Sequence, residues 1–224
     1  MAANTRQKLL DAAESLFSQQ GITTTPLRQI TELAGANLAA VNYHFGSKLG
    51  LAREVLRRRL DELNSERLKR LDQLEAQDDK PATLDQLLEA LIEPALIMSR
   101  DDALGGMRFV RLLARAYAEN DRELHRFLRE HYSHVMRRFA RAMSQALPEM
   151  DAANLRWHLD FVIGALTYAM ADFTGHFSHM NQIHIDAKTI AQHLVRFAAA
   201  GLSAADAAAA PSTPTGTART LLGG

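Results

Sequence analysis

The chain predicts an all-α protein, in which a small N-terminal three-helix module precedes a larger helical bundle, about nine helices in all. Three observations carry this. The 224 residues are rich in Ala, Leu, Arg and Glu and hold only six prolines. Apolar residues recur at three- and four-residue intervals through nearly every segment, with no alternating run that reads as a strand. Glycines and short polar caps stop the pattern at regular places, closely spaced before residue 50 and far apart after it.

The first helix is expected from about Thr5 to Gln20, with Leu9, Leu10, Ala12, Ala13, Leu16 and Phe17 inward and Gly21 in a left-handed cap. Thr25 followed by Pro26 reads as an N-cap and first helical residue. Leu27, Ile30, Leu33 and Ala34 are the expected inner face of that short helix, which Gly35 ends. Asn37 caps a third helix carrying Val41 and Phe45 inward, and Gly46 breaks it. Two short helices joined by a tight glycine-containing turn form a helix-turn-helix pattern, in which Ala34 and Gly35 let the helices cross closely.

Ser47 caps a fourth helix expected to reach about Glu75, and 76–82 reads as a linker. Thr83 and Gln86 form a capping box, so a helix follows to about Met98. A turn with a Gly-Gly pair precedes helices at about 107–118, 122–147, 153–179 and 186–200. The expected division is a reader module at 1–48, a body at 49–202 and a disordered tail at 203–224, where charge nearly vanishes.

Composition narrows the function. There is no cysteine, so thiol nucleophiles and cysteine-type zinc sites are excluded. No apolar run approaches the roughly 18 residues of a membrane span, and the N-terminus lacks an apolar signal core, so a cytoplasmic protein with no membrane partner is expected. Formal net charge is zero, so DNA binding must come from a local surface rather than bulk basicity. An enzyme is disfavoured: no Gly-rich phosphate loop follows a strand, and the spacing of Glu130, Ser133 and His134 is generic. His176, His179 and His184, or His131 and His134, offer histidines without a completing carboxylate, so neither metal nor cofactor is expected. A purely structural adaptor is the remaining rival.

Residues 5–51 resemble the TetR family of one-component bacterial transcription regulators. The resemblance is carried by Leu10, Ala13, Phe17, Gly21, Leu27, Ile30, Ala34, Gly35, Val41, Tyr43, His44, Phe45, Ser47, Lys48 and Leu51. The stretch from Asn37 to Lys48 looks closest to the PsrA-like, fatty-acid-responsive branch, although Asn42 stands where many members have tyrosine. The resemblance implies a dimeric DNA-binding regulator, usually a repressor, that responds to a small ligand.

In a helix-turn-helix the second helix enters the major groove. Leu38, Ala39 and Ala40 can pack on thymine methyl groups, and Asn42 can pair bidentately with adenine. Thymine-rich half-sites are therefore expected. Thr25, Arg28, Asn37, Tyr43, His44 and Lys48 are the expected phosphate contacts. Each base contact discriminates by roughly 1–3 kcal/mol, too little for one module to find one genomic site. A homodimer on palindromic double-stranded DNA, its half-sites about 34–36 Å apart or a longer helical multiple, follows from that arithmetic.

The 153–179 segment has two apolar faces. Leu159, Ile163, Leu166 and Phe173, with Ile190, Leu194 and Phe197 of the last helix, are the expected dimer contact. Met98, Met107, Phe109, Leu112, Phe127 and Tyr132, opposite Phe161, Tyr168 and Met170, are the expected wall of an effector pocket. Arg108 lies beside them and can hold an anionic group. The expected function is a repressor released by a small apolar effector such as a fatty acid or acyl compound. The alternative is an activator, or a regulator of an efflux or catabolic operon, that responds to an unrelated hydrophobic or aromatic ligand.

Overall fold

A computed structural model of the chain describes residues 2–77, 80–171 and 186–210. Among these residues every regular element is helical. The first three helices, α1 (Ala2–Gln20), α2 (Leu27–Ala34) and α3 (Leu38–Phe45), are followed by the long α4 (Lys48–Glu75). The body continues with α5 (Leu84–Arg100), α6 (Gly106–Ala118), α7 (Arg122–Ala146), α8 (Ala152–Met170) and α9 (Ala187–Ala209). A single 3-10 turn at Asp102–Leu104 links α5 to α6.

The punctuation of the chain has local causes. Gly21, Gly35 and Gly46 all adopt positive φ at helix ends, a region closed to most side chains. The carboxamide of Asn37 accepts from the Ala40 amide at 2.9 Å and so starts α3. Thr83 and Gln86 close the reciprocal capping box at the head of α5. Pro26, rather than Thr25, caps α2, and it does so without a side-chain bond.

One continuous apolar core runs from the N-terminal module into the body. The α4 helix joins them, packing on α1 and α3 near its start and on α5 and α7 further along. Its buried positions Leu51, Val55, Leu56, Leu60, Leu63 and Leu71 form a single inner stripe. The α5 helix lies at the centre, flanked by α4, α6, α7, α8 and α9.

Several expectations are corrected. Leu33 is 60% exposed, and Thr31 takes its place on the inner face of α2, because the short helix turns only one narrow stripe to α1. The last helix does not stop near residue 200. It runs to Ala209, held by Leu202 in the core and by Asp206, whose carboxylate accepts from the Glu149 amide at 2.9 Å. The tail expected from residue 203 therefore begins with ordered helix, and its remainder at 211–224 lies outside the described residues. So do Phe173, His176, Phe177, His179 and His184.

Candidate nucleic-acid interface

The inner side of α3 fixes the orientation of its outer side. Val41 is fully buried in the junction of α1, α2, α3 and α4. The opposite face presents Leu38, Ala39, Asn42 and Tyr43, all exposed, at spacings that place them on one side of the helix. Tyr43 is 83% exposed, a cost no soluble core explains for an aromatic ring. Its ring meets His44 edge-on at 4.9 Å, and His44 in turn lies 5.9 Å from Phe45. His44 and Ala40 are half-buried, at the border of this face. Phe45 is half-buried too, covered by the Arg6 guanidinium at 5.5 Å.

The expected phosphate contacts divide into three groups. Arg28 is exposed at the start of α2, where it pairs with Glu32 at 2.8 Å in a solvent-facing ion pair that a phosphate can displace. Asn37 is exposed, although its oxygen is spent on the α3 cap. Thr25 turns away from this face. Its side chain is fully buried and donates to the Gly21 carbonyl at 2.6 Å, so it ties the α1–α2 loop together. Lys48 is also turned inward: its ammonium donates to the Thr23 carbonyl at 2.7 Å and the Thr25 carbonyl at 3.1 Å. It stitches the head of α4 to that same loop and has one donor left.

Ties between reader and body were not expected from the sequence. Glu14, on the inner side of α1, is 2% exposed and bonds both Arg58 and Arg59 of α4. Arg115 of α6 donates to the Ser18 carbonyl at 3.1 Å and the Gln19 carbonyl at 2.7 Å, satisfying the open end of α1. Glu119, which follows α6, accepts from the amide and the hydroxyl of Thr23. Partial burial pushes its carboxyl up, but the bonds from Thr23 and Ile22 and the charge of Lys48 outweigh that and hold it below the usual value. The only sequence signal was Glu14 itself, an acid in register with Leu10 and Phe17.

The residues expected to wall an effector pocket fall in different places. Met98, Phe109, Leu112 and Met170 are packed core, and Met107, Phe127 and Tyr132 are half-buried against it. Arg108 is exposed, because it falls on the outer side of α6. Phe161 and Tyr168 are 66% and 52% exposed, on the outside of α8. A cleft of about 580 Å³ opens elsewhere, where Leu74, Pro81, Leu87, Arg138 and Arg141 line the far end of α4 and α7.

The expected dimer contact is reversed on α8. Leu159 and Leu166 are buried in the protomer's own core, and Ile163 is half-buried beside them. The outward stripe is Trp157, Phe161, Gly164 and Tyr168. On α9, Ile190 and Leu194 are half-buried and Phe197 is 72% exposed. Among the described residues nothing lies within 4 Å of a Cβ built on Gly164 or Gly201.

A capped three-helix module with a solvent-facing second helix, fused through α4 to a helical body, defines a helix-turn-helix DNA-binding regulator. The sequence profile described as "Bacterial regulatory proteins, tetR family" matches residues 9–55, and that of "Tetracyclin repressor-like, C-terminal domain" matches residues 89–201. The chain belongs to the TetR family. Members are DNA-binding regulators rather than enzymes, act as dimers and respond to small molecules.

Among curated relatives, the transcriptional regulator AcrR of Shigella flexneri is 44% identical over 54 residues, 24% of this chain and 25% of that protein. The transcriptional repressor KstR2 of Rhodococcus jostii is 40% identical over 58 residues, 26% of this chain and 28% of that protein. These matches thus span about a quarter of each relative's length. The fold match is wider. The fatty acid degradation regulator FadR of Bacillus halodurans superposes with a TM-score of 0.63 at 13% identity, covering 87% of this chain and 98% of that one. A putative transcriptional regulator from Pseudomonas aeruginosa gives 0.64 at 15% identity, covering 89% and 90%.

Proposed function

We propose that this protein is a homodimeric repressor that reads a palindromic operator through α3 and releases it when a small apolar effector enters the body. The observation that carries the DNA reading is the exposed face of Leu38, Ala39, Asn42 and Tyr43 on a helix whose other side is anchored by Val41. That face offers methyl packing and one bidentate amide, which favours thymine-rich half-sites. Arg28, the half-buried His44 and the spare donor of Lys48 flank it for phosphate.

Dimerisation follows from the outward stripes of α8 and α9. Trp157, Phe161 and Phe197 are too large and too exposed to be left in water, and the adjacent glycines let a second copy approach closely. We assign the reader to 1–48 and the body to the stretch from 49 to the end of α9 at Ala209, with α4 shared between them, and place the protein in the cytoplasm with its DNA. A fatty acid or acyl effector is supported by the resemblance of Asn37 to Lys48 to the PsrA-like branch. Repression is the mode named for KstR2, which shares the reader module. A nearly complete switch needs roughly 5.5 kcal/mol of differential binding. At about 0.8 kcal/mol per buried methylene, a medium-length chain supplies it.

The test is selection of genomic fragments by the purified full chain, followed by binding measurements on Tyr43→Ala and Asn42→Ala. The wild type should enrich one palindromic motif. Each variant should lose about tenfold or more in affinity with no change in melting temperature, since neither side chain is in the core. Failure to enrich any motif, or variants that bind as well as the wild type, defeats the reading.

A further inference from the structure

Arg67 sits in the middle of α4 and is 2% exposed. Its Nε donates to the Leu91 carbonyl at 2.9 Å. One terminal nitrogen of the guanidinium is buried without any partner. Asn64, one turn earlier and 3% exposed, is half-satisfied in the same way. Its Nδ2 donates to the His131 carbonyl at 3.4 Å, while its buried Oδ1 has no partner.

Burial lowers the Arg67 pKa to about 10, which leaves it charged at neutral pH. Tyr132 of α7 lies close enough to feel that charge, and burial pushes its phenol well up, so it stays neutral. Among the described residues no carboxylate pairs with Arg67. The nearby Glu66 and Glu93 both serve Arg70. Buried Glu14, by contrast, is bracketed by two guanidinium groups. A buried cation with an open donor and, one turn away, a buried open acceptor is a costly arrangement that calls for a partner.

We propose that Arg67 and Asn64 anchor the polar head of the effector, and that this head combines a carboxylate for Arg67 with a hydroxyl donor for Asn64. The inference rests on the reading of the body as an effector-binding domain and names the effector's class: an amphiphilic hydroxy acid. Its tail lies among Leu60, Leu63 and Leu71 of α4 and Leu88 of α5, all buried. Because Arg67 is enclosed, a ligand reaches it only by parting α4 from α5 and α7. Since α4 begins at the reader, that displacement moves α3.

The experiment titrates full-length protein with 3-hydroxydecanoate, decanoate and 1-decanol by calorimetry and thermal shift. The wild type should bind decanoate at least tenfold more tightly than decanol, and the hydroxy acid more tightly still. Arg67→Met should bind acid and alcohol alike, and Asn64→Leu should erase the gain from the hydroxyl. Without ligand, Arg67→Met should melt at or above the wild-type temperature, because an apolar chain of similar length replaces an unpaired charge.

The proposal is overturned if the wild type does not prefer the acid or binds none of the three. It is also overturned if unliganded Arg67→Met melts well below wild type, which would make the guanidinium a structural tie. Operator binding separates the two readings. Arg67→Met should hold the selected DNA and resist release by the acid, whereas a wild type that selects no DNA sinks the regulator reading instead.

Discussion

Replacing Glu14 with glutamine should cost more than any other single charge removal in the reader module. Its side chain is 3% exposed and accepts from Arg58 and Arg59 of α4, with Arg59 Nε at 3.0 Å. A Cβ added to Gly105 would lie 2.8 Å from that Nε and 3.2 Å from the Glu14 carboxylate, so the turn before α6 packs directly over the pair. One residue thus joins α1, α4 and the entry to α6. Breaking a buried pair by removing one partner costs about 3–5 kcal/mol. Here Arg58 and Arg59 are 19% and 12% exposed and keep Asp11 and Glu62 as second partners, so about 2–3 kcal/mol is expected. In a domain of this size that is a fall of roughly 5–10 °C in melting temperature. Circular-dichroism melts at fixed protein concentration measure it, concentration being held because dimerisation is linked to stability. Asp11→Asn is the control: Asp11 binds the same Arg58 but is 59% exposed, and should cost about 0.5 kcal/mol or less. If Glu14→Gln melts within about 1 °C of wild type, or the control falls as far, burial is not what gives this pair its weight.

Two further outcomes test other parts of the structure. Phe161→Glu combined with Phe197→Glu should give a monomer by analytical ultracentrifugation and abolish operator binding. Unfolding of the protomer should change little, since both rings lie outside its core; a variant that stays dimeric would move the interface elsewhere. The tie between Glu119 and Thr23 should weaken in acid. The Glu119 carboxyl is held below its ordinary value of 4.5, so its contribution is complete above that value and disappears as the pH falls through the lower folded-state value. An NMR titration should show the Thr23 amide shifting with a midpoint below 4.5, and a midpoint above it would contradict the bonding seen here.

The reader module was legible because its signals are local. Gly21, Gly35 and Gly46 need positive φ, Asn37 caps α3, and Val41 must be buried if Ile30 and Phe17 are. None of these depends on what the rest of the chain does. The orientations of Thr25 and Lys48 were not legible, because a hydroxyl or an ammonium near a helix start can face a phosphate or a backbone carbonyl. Both bond loop carbonyls instead. The α8 helix shows the harder limit. With two apolar faces, periodicity gives the faces and not their assignment. A finer clue was present: Leu155, Leu159, Val162, Leu166 and Met170 form an unbroken inner stripe, whereas Arg156 and Asp160 border Trp157 and Phe161. Charges beside aromatics mark a face that water can reach before a partner does.

The effector site was illegible for a different reason. Methionine and phenylalanine at core spacing, as at Met98 and Phe109, say only that a position is buried. The residues that carry information are those that break the core register. Glu14 does so on α1, between Leu10 and Phe17. Asn64 and Arg67 do so on α4, between Leu60 and Leu71. The sequence marks all three as polar groups on an apolar stripe and cannot separate them further. Their partners separate them. Glu14 has all its demand met by α4, which makes it a tie between reader and body. Arg67 and Asn64 each keep one buried polar atom without a partner among the described residues, and on the proposed reading the effector's head supplies it.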